Sequence, residues 1–142
     1  MLEPVRDQDL KNLFQKARTI AVVGAKDKAG QPVDMVGRYL IAAGYQVVPV
    51  HPVRQNVWGL ETWKSILDIP FAVDIVDLFR AARYCPEHAR EVMALSCRPS
   101  AFWMQSGIRS LEAEIILKKA QVLVVQDMCI KTQHLRLMGS QT

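Results

Sequence analysis

Five short runs of consecutive apolar residues, at positions 19–24, 45–50, 73–79, 101–105 and 122–126, constrain this chain more than any other feature. Continuous Val/Ile/Leu character marks strands buried on both faces, unlike the alternating pattern of a half-exposed strand. Amphipathic stretches lie between them. Leu10, Leu13, Phe14 and Ala17 recur at helical spacing over 9–17, and Val36, Tyr39, Leu40 and Ala43 do so ahead of a stop at Gly44. A short helical piece is expected over 62–67. Pro86 suits the first turn of a helix carrying Ala89, Val92, Met93 and Leu95. Leu111, Ile115, Ile116 and Leu117 mark a fourth full-length helix, and a last one is expected over 131–137. Strands alternating with helices predict a three-layer, doubly wound α/β domain: a five-stranded parallel sheet with helices on both faces. The expected strand order is 3-2-1-4-5.

With 142 residues there is room for one domain spanning 1–142, and no repeat, linker or low-complexity segment divides it. A chain of this length buries roughly 70% of its unfolded surface, enough for a core without covalent staples. Cys85, Cys97 and Cys129 are odd in number and form no Cys-x-x-Cys pair, which suits a reducing compartment. The N-terminus opens with Glu3, Pro4, Arg6 and Asp7 rather than a signal-peptide pattern, and no apolar run spans a bilayer, so a cytoplasmic location without membrane attachment is expected. The net charge of +4 is spread along the chain; it favours a small anionic ligand and argues against nucleic acid. The tail at 139–142 is expected to fray.

In a Rossmann-like domain the ligand lies outside the carboxyl ends of the strands, where strand order reverses. Strand one runs into Gly24, Ala25 and Lys26, then Asp27, Lys28 and Gly30. Glycine allows close backbone approach, and a following helix offers N–H groups to phosphate. The same segment reads equally as a tight turn with solvated lysines; it is neither Gly-x-Gly-x-x-Gly nor a Walker loop. Strand two ends in His51, Pro52, Val53 and Arg54. An NAD site would place a carboxylate here for the ribose hydroxyls, whereas Arg54 suits a ribose phosphate, as in coenzyme A or NADP. Its bland alternative is a surface arginine in a proline turn. Phe79 and Arg80 follow strand three and could cover an adenine face and neutralise phosphate, or serve as packing beside a solvated charge. Asp74 and Asp77 read as strand-end or loop-facing carboxylates. Gln105, Ser106 and Gly107 follow strand four, with Trp103 assigned to the core.

No catalytic set emerges. His51, His88 and His134 lack metal-site spacing, and the last two sit in helical stretches expected to be exposed. There is no Gly-x-Ser-x-Gly elbow and no paired acid and base. Cys129 at a strand end could carry a reactive thiol, with burial the alternative.

Taken in order, 20–25, 40–52, 58–60, 68–70, 73–80, 102–108 and 124–130 resemble the small stand-alone CoA-binding domain family, itself similar to the N-terminal domain of the succinyl-CoA synthetase alpha subunit. The likeness covers nearly the whole chain. It implies that Gly24, Ala25 and Lys26 line a pyrophosphate turn and that Pro52 and Arg54 sit near the 3′-phospho-ADP. By the same resemblance Phe79 and Arg80 lie against the adenosine half, and Gln105, Ser106 and Gly107 border the pantetheine arm. Two positions depart from the family pattern: Lys26 stands in place of a small hydroxyl residue, and His51 in place of asparagine. The phosphorylated histidine and the ATP-binding subunit of the ligases have no counterpart. The expected function is therefore binding of coenzyme A or an acyl-CoA without intrinsic catalysis, with a possible protein partner. An NADP-binding oxidoreductase-type domain and a protein-interaction domain with a vestigial nucleotide crevice are the alternatives.

Overall fold

The computed structural model describes residues 4–139, so most of the expected frayed tail, 140–142, lies outside the described residues. Helix α1 (Asp7–Lys16) leads into β1 (Thr19–Val23), α2 (Pro32–Ala42) and β2 (Gln46–Val50). After a long connection come β3 (Ile75–Leu78), α3 (Cys85–Ala94), β4 (Ala101–Met104), α4 (Leu111–Leu117), β5 (Leu123–Val125) and α5 (Ile130–Met138). The element types follow the apolar periodicity, and Pro86 falls in the first turn of α3. The piece expected over 62–67 is reduced to a 3₁₀ turn at Ile66–Asp68.

All strands pair in parallel, in the order β2-β1-β3-β4-β5. This corrects the expected 3-2-1-4-5 order within the same doubly wound class. The outer edge of β2 is occupied at its carboxyl end: Trp63 of the long connection donates its N–H to the Pro49 carbonyl at 3.0 Å and accepts from the His51 N–H at 2.9 Å. The third strand crosses over β1 and pairs on its far side, Ile20 beside Ile75 and Val23 beside Leu78. The Asp74 carboxylate secures the start of that pairing by accepting from the Arg18 and Thr19 amides at 2.7 and 3.0 Å. Pro49 is itself an edge-strand signal, because proline has no N–H to give to a ladder.

Two apolar layers sandwich the sheet. Leu10 and Phe14 of α1, Val36 and Leu40 of α2 and Ile130 of α5 pack on Ile20, Val22 and Trp103. On the other face, Ala89 and Val92 of α3 and Leu117 of α4 pack on Val76, Leu78, Phe102 and Met104. The connection after β2 is anchored by Trp58, whose ring lies against Gly37 of α2 so closely that a Cβ there would sit 2.2 Å from it. The indole N–H donates to buried Asp34 at 2.8 Å, and Asp34 also receives Arg38. No helix among the described residues is long and apolar enough to cross a membrane.

Candidate functional site

Because β2 lies on one side of β1 and β3 to β5 on the other, strand order reverses between β1 and β3. That is where a doubly wound sheet opens its crevice. The 3-2-1-4-5 order would have opened it between β1 and β4, so the true order moves the centre of the site by one strand.

Gly24 closes β1 with φ +85°, and a Cβ there would meet the Phe79 carbonyl oxygen at 2.5 Å. Glycine is thus required twice, by the left-handed backbone and by the approach of the β3 end. The Gly24 and Ala25 amides both donate to the Val50 carbonyl, at 2.9 and 3.2 Å, which ties the end of β1 to the end of β2. They are engaged, so the donors still available in this turn come later. The amides of residues 26–30 make no hydrogen bond to another described residue. Lys26 is half-buried at the start of that stretch and Lys28 exposed.

At the end of β2 the His51 Nδ1 accepts from the Val53 amide at 3.1 Å and the Arg54 amide at 2.9 Å. The imidazole thereby does what an asparagine carboxamide does in an Asx turn, holding its own backbone two and three residues on. Pro52 is exposed within that turn. Burial, followed by the charges of Arg54, Lys26 and Arg80, holds His51 below its ordinary value of 6.5. Three cations from three strand ends therefore bear on one imidazole. Among the described residues Arg54 pairs with one carboxylate, Asp27, with Nη1 to Oδ1 at 3.5 Å.

Phe79 and Arg80 follow β3 and are both half-buried. Phe79 packs on the core layer of α1, α2 and α5. The Arg80 guanidinium lies 4.1 Å from the centroid of the Tyr84 ring, and its Nε is buried with no hydrogen-bond partner. A buried N–H without an acceptor asks for a ligand or water oxygen to complete it.

The residues after β4 are placed differently. Gln105 is buried at 4% exposure and faces inward: its Nε2 donates to Asp77 Oδ1 and its Oε1 accepts from the Ile130 amide. Asp77 is not at a strand end but fully buried in β3, on the same side of the sheet as Ile75, where burial pushes its carboxyl up to about 8. Ser106 and Gly107 are exposed, and the Gly107 amide is bound by Asp127 at 2.6 Å. Trp103 is fully buried, with its indole N–H on the Met128 carbonyl. Cys129 is half-buried just before α5. His88 and His134, expected to be exposed, are half-buried: His88 pairs with Glu91 at 2.6 Å and His134 with the Tyr39 hydroxyl at 2.6 Å. Among the described residues no group of three or more His, Cys, Asp or Glu side chains could hold a metal ion.

A cavity of about 420 Å³ adjoins the crevice beyond Arg54, lined also by Asn56, Glu61, Thr62 and Lys64. Another, of about 340 Å³ and lined by Ile69, Val73 and Cys97 among others, lies beside the segment entering β3, away from the carboxyl ends of the strands.

The family model described as CoA binding domain matches residues 18–135, from the start of β1 into α5. The chain belongs to the CoA binding domain family. Relatives of similar size share its architecture. It is 32% identical over 126 residues to the uncharacterized protein YneT of Bacillus subtilis, covering 89% of this chain and 92% of that one. The solved structure of cell-free ID.343 from Thermus thermophilus superposes with a TM-score of 0.88 at 43% identity, over 94% of this chain and 100% of that one. A shorter likeness, 33% over 81 residues, links the domain to the acetate–CoA ligase (ADP-forming) II of Archaeoglobus fulgidus, covering 56% of this chain and 12% of the ligase. In this CoA binding domain the strand ends present Lys26, Arg54 beside Asp27, and Arg80 over Tyr84, whereas Gln105 belongs to the interior.

Proposed function

We propose that the protein binds coenzyme A or an acyl-CoA at the carboxyl ends of β1, β2 and β3 and catalyses no reaction by itself. The observation that carries this reading is that Lys26, Arg54 and Arg80 follow the carboxyl ends of three adjacent strands, β1, β2 and β3, which include the pair between which strand order reverses. A ligand with a diphosphate and a separate ribose phosphate needs several cations spread over one crevice, and these come from three different strand ends. The unpartnered Arg80 Nε and the unengaged amides after Ala25 supply donors for the diphosphate. Arg54 faces the ribose phosphate, and the turn at the end of β2 offers no carboxylate for a ribose diol. Family membership supports the same ligand class. No nucleophile stands beside a base at the crevice among the described residues, so the chemistry performed on a bound thioester belongs to a partner protein in this reading. The role is that of a cytoplasmic carrier, sensor or subunit.

Isothermal titration with coenzyme A, dephospho-CoA, NADP and NAD at moderate salt tests it. Saturable binding of coenzyme A at about micromolar levels, with NAD silent, is expected. Tighter binding of NADP than of coenzyme A would instead assign a dinucleotide site, and four silent titrations would overturn the reading. Steady turnover of an acyl-CoA by the pure protein would refute the non-catalytic half.

A further inference from the structure

His51 does more than occupy the end of β2. Its backbone N–H is fixed on the Trp63 carbonyl at 2.9 Å, so the residue itself is anchored to the sheet edge. Its Nδ1 then reaches forward to the amides of Val53 and Arg54, at 3.1 and 2.9 Å. A ring nitrogen accepts only while its lone pair is free, so both bonds require a neutral imidazole carrying its proton on Nε2. The segment those bonds close is the one that presents Arg54. The charged groups around the ring come from three elements: Lys26 from the turn after β1, Arg80 from the end of β3, and Arg54 from the same turn. Asp27, from the turn after β1, is engaged with Arg54.

We propose that His51 is a proton-sensitive latch on phosphate selectivity. In its neutral form it holds the 51–54 turn so that Arg54 meets the ribose phosphate; protonation at Nδ1 removes both acceptor bonds and frees the turn. The inference rests on the functional reading above and adds its regulation. The added positive charge attracts every phosphate ligand, so it strengthens coenzyme A and dephospho-CoA alike. Loss of the Arg54 orientation touches only the ligand bearing the 3′-phosphate. The ratio of the two affinities therefore isolates the latch from the bulk charge. Burial and the surrounding cations keep His51 below its ordinary 6.5, so the latch stays closed near neutral pH and opens on mild acidification.

The test compares the wild type with His51→Asn and His51→Ala by titration calorimetry from about pH 8 to about pH 5, the span of histidine chemistry. Asparagine offers an acceptor to the same two amides and does not titrate. The preference for coenzyme A over dephospho-CoA should fall about tenfold further in the wild type than in His51→Asn, the size of one charge-assisted hydrogen bond. The comparison cancels the 3′-phosphate's own protonation, which both proteins experience equally. His51→Ala should show the reduced preference at every pH. In the ligand-free protein, the amide resonances of Val53 and Arg54 should move together with the His51 ring. Indistinguishable pH profiles in the wild type and His51→Asn, or amides that stay still while the ring titrates, would overturn the latch. If no variant binds coenzyme A at any pH, the functional reading fails, and the amide titration alone then decides the latch.

Discussion

Replacing Asp77 by asparagine should stabilise the protein at neutral pH, by an amount that depends on pH in a calculable way. The carboxyl is fully buried in β3; Oδ1 receives Gln105 Nε2 and Oδ2 has no partner. Burial raises it to about 8, with the Gln105 bond pulling the other way, against an ordinary value of 3.8 in the unfolded chain. The folded state thus holds this proton more tightly than the unfolded state does. The associated stability is fully present below the unfolded value and is lost as pH climbs toward the folded one. From 3.8 up to pH 7 the loss is about 4 kcal/mol at 1.36 kcal/mol per unit, a large share of the 5–15 kcal/mol typical of a domain. The carboxamide of Asp77→Asn keeps the shape and the acceptor for Gln105 but has nothing to ionise. Urea unfolding of both proteins at about pH 4.5, 6 and 7.5 measures the effect, and their difference cancels the carboxylates they share. The two should be closest at the lowest pH and diverge in favour of Asp77→Asn as pH rises. A difference independent of pH would show that Asp77 titrates alike in the folded and unfolded states and would refute the argument.

Arg54→Ala should weaken coenzyme A by about 1–3 kcal/mol and leave dephospho-CoA nearly unchanged by calorimetry; equal losses would remove Arg54 from the ribose phosphate. If Arg80 serves the diphosphate as proposed, Arg80→Gln should weaken both ligands by a common factor of about ten or more and flatten the salt dependence of binding. Gly24→Ala places a methyl group 2.5 Å from the Phe79 carbonyl at φ +85° and should cost at least about 2 kcal/mol in thermal unfolding. Gly37→Ala gains about 1 kcal/mol of helix propensity but drives a Cβ into the Trp58 ring at 2.2 Å; a net loss of stability with a shift in tryptophan emission is expected, and a more stable variant would contradict the packing.

Much of this protein is written locally along the chain. Each strand is a run of apolar residues that only a position covered on both faces can use, and the helices between them declare themselves by spacing, by Pro86 and by Gly44. In a doubly wound sheet the chemistry gathers at strand ends, so Lys26, Arg54 and Arg80 could be singled out without coordinates. Strand order was not legible in the same way, because it depends on which edge a connection occupies. Trp63 caps the outer edge of β2 at its carboxyl end while β3 pairs on the far side of β1; Pro49 was the local signal that β2 had to be an edge. The orientation of individual polar side chains at strand ends was equally out of reach. A carboxylate and an amide spaced like Asp77 and Gln105 look from sequence as though they face the crevice. In the fold, adjacent strands bring them together beneath it, where each satisfies part of the other's hydrogen bonding. Which segments become strands and helices was thus settled along the chain, because spacing between near neighbours decides it. Which strand ends meet, which cations converge and which polar groups are sealed inside came only with the folded arrangement, because those depend on neighbours tens of residues away.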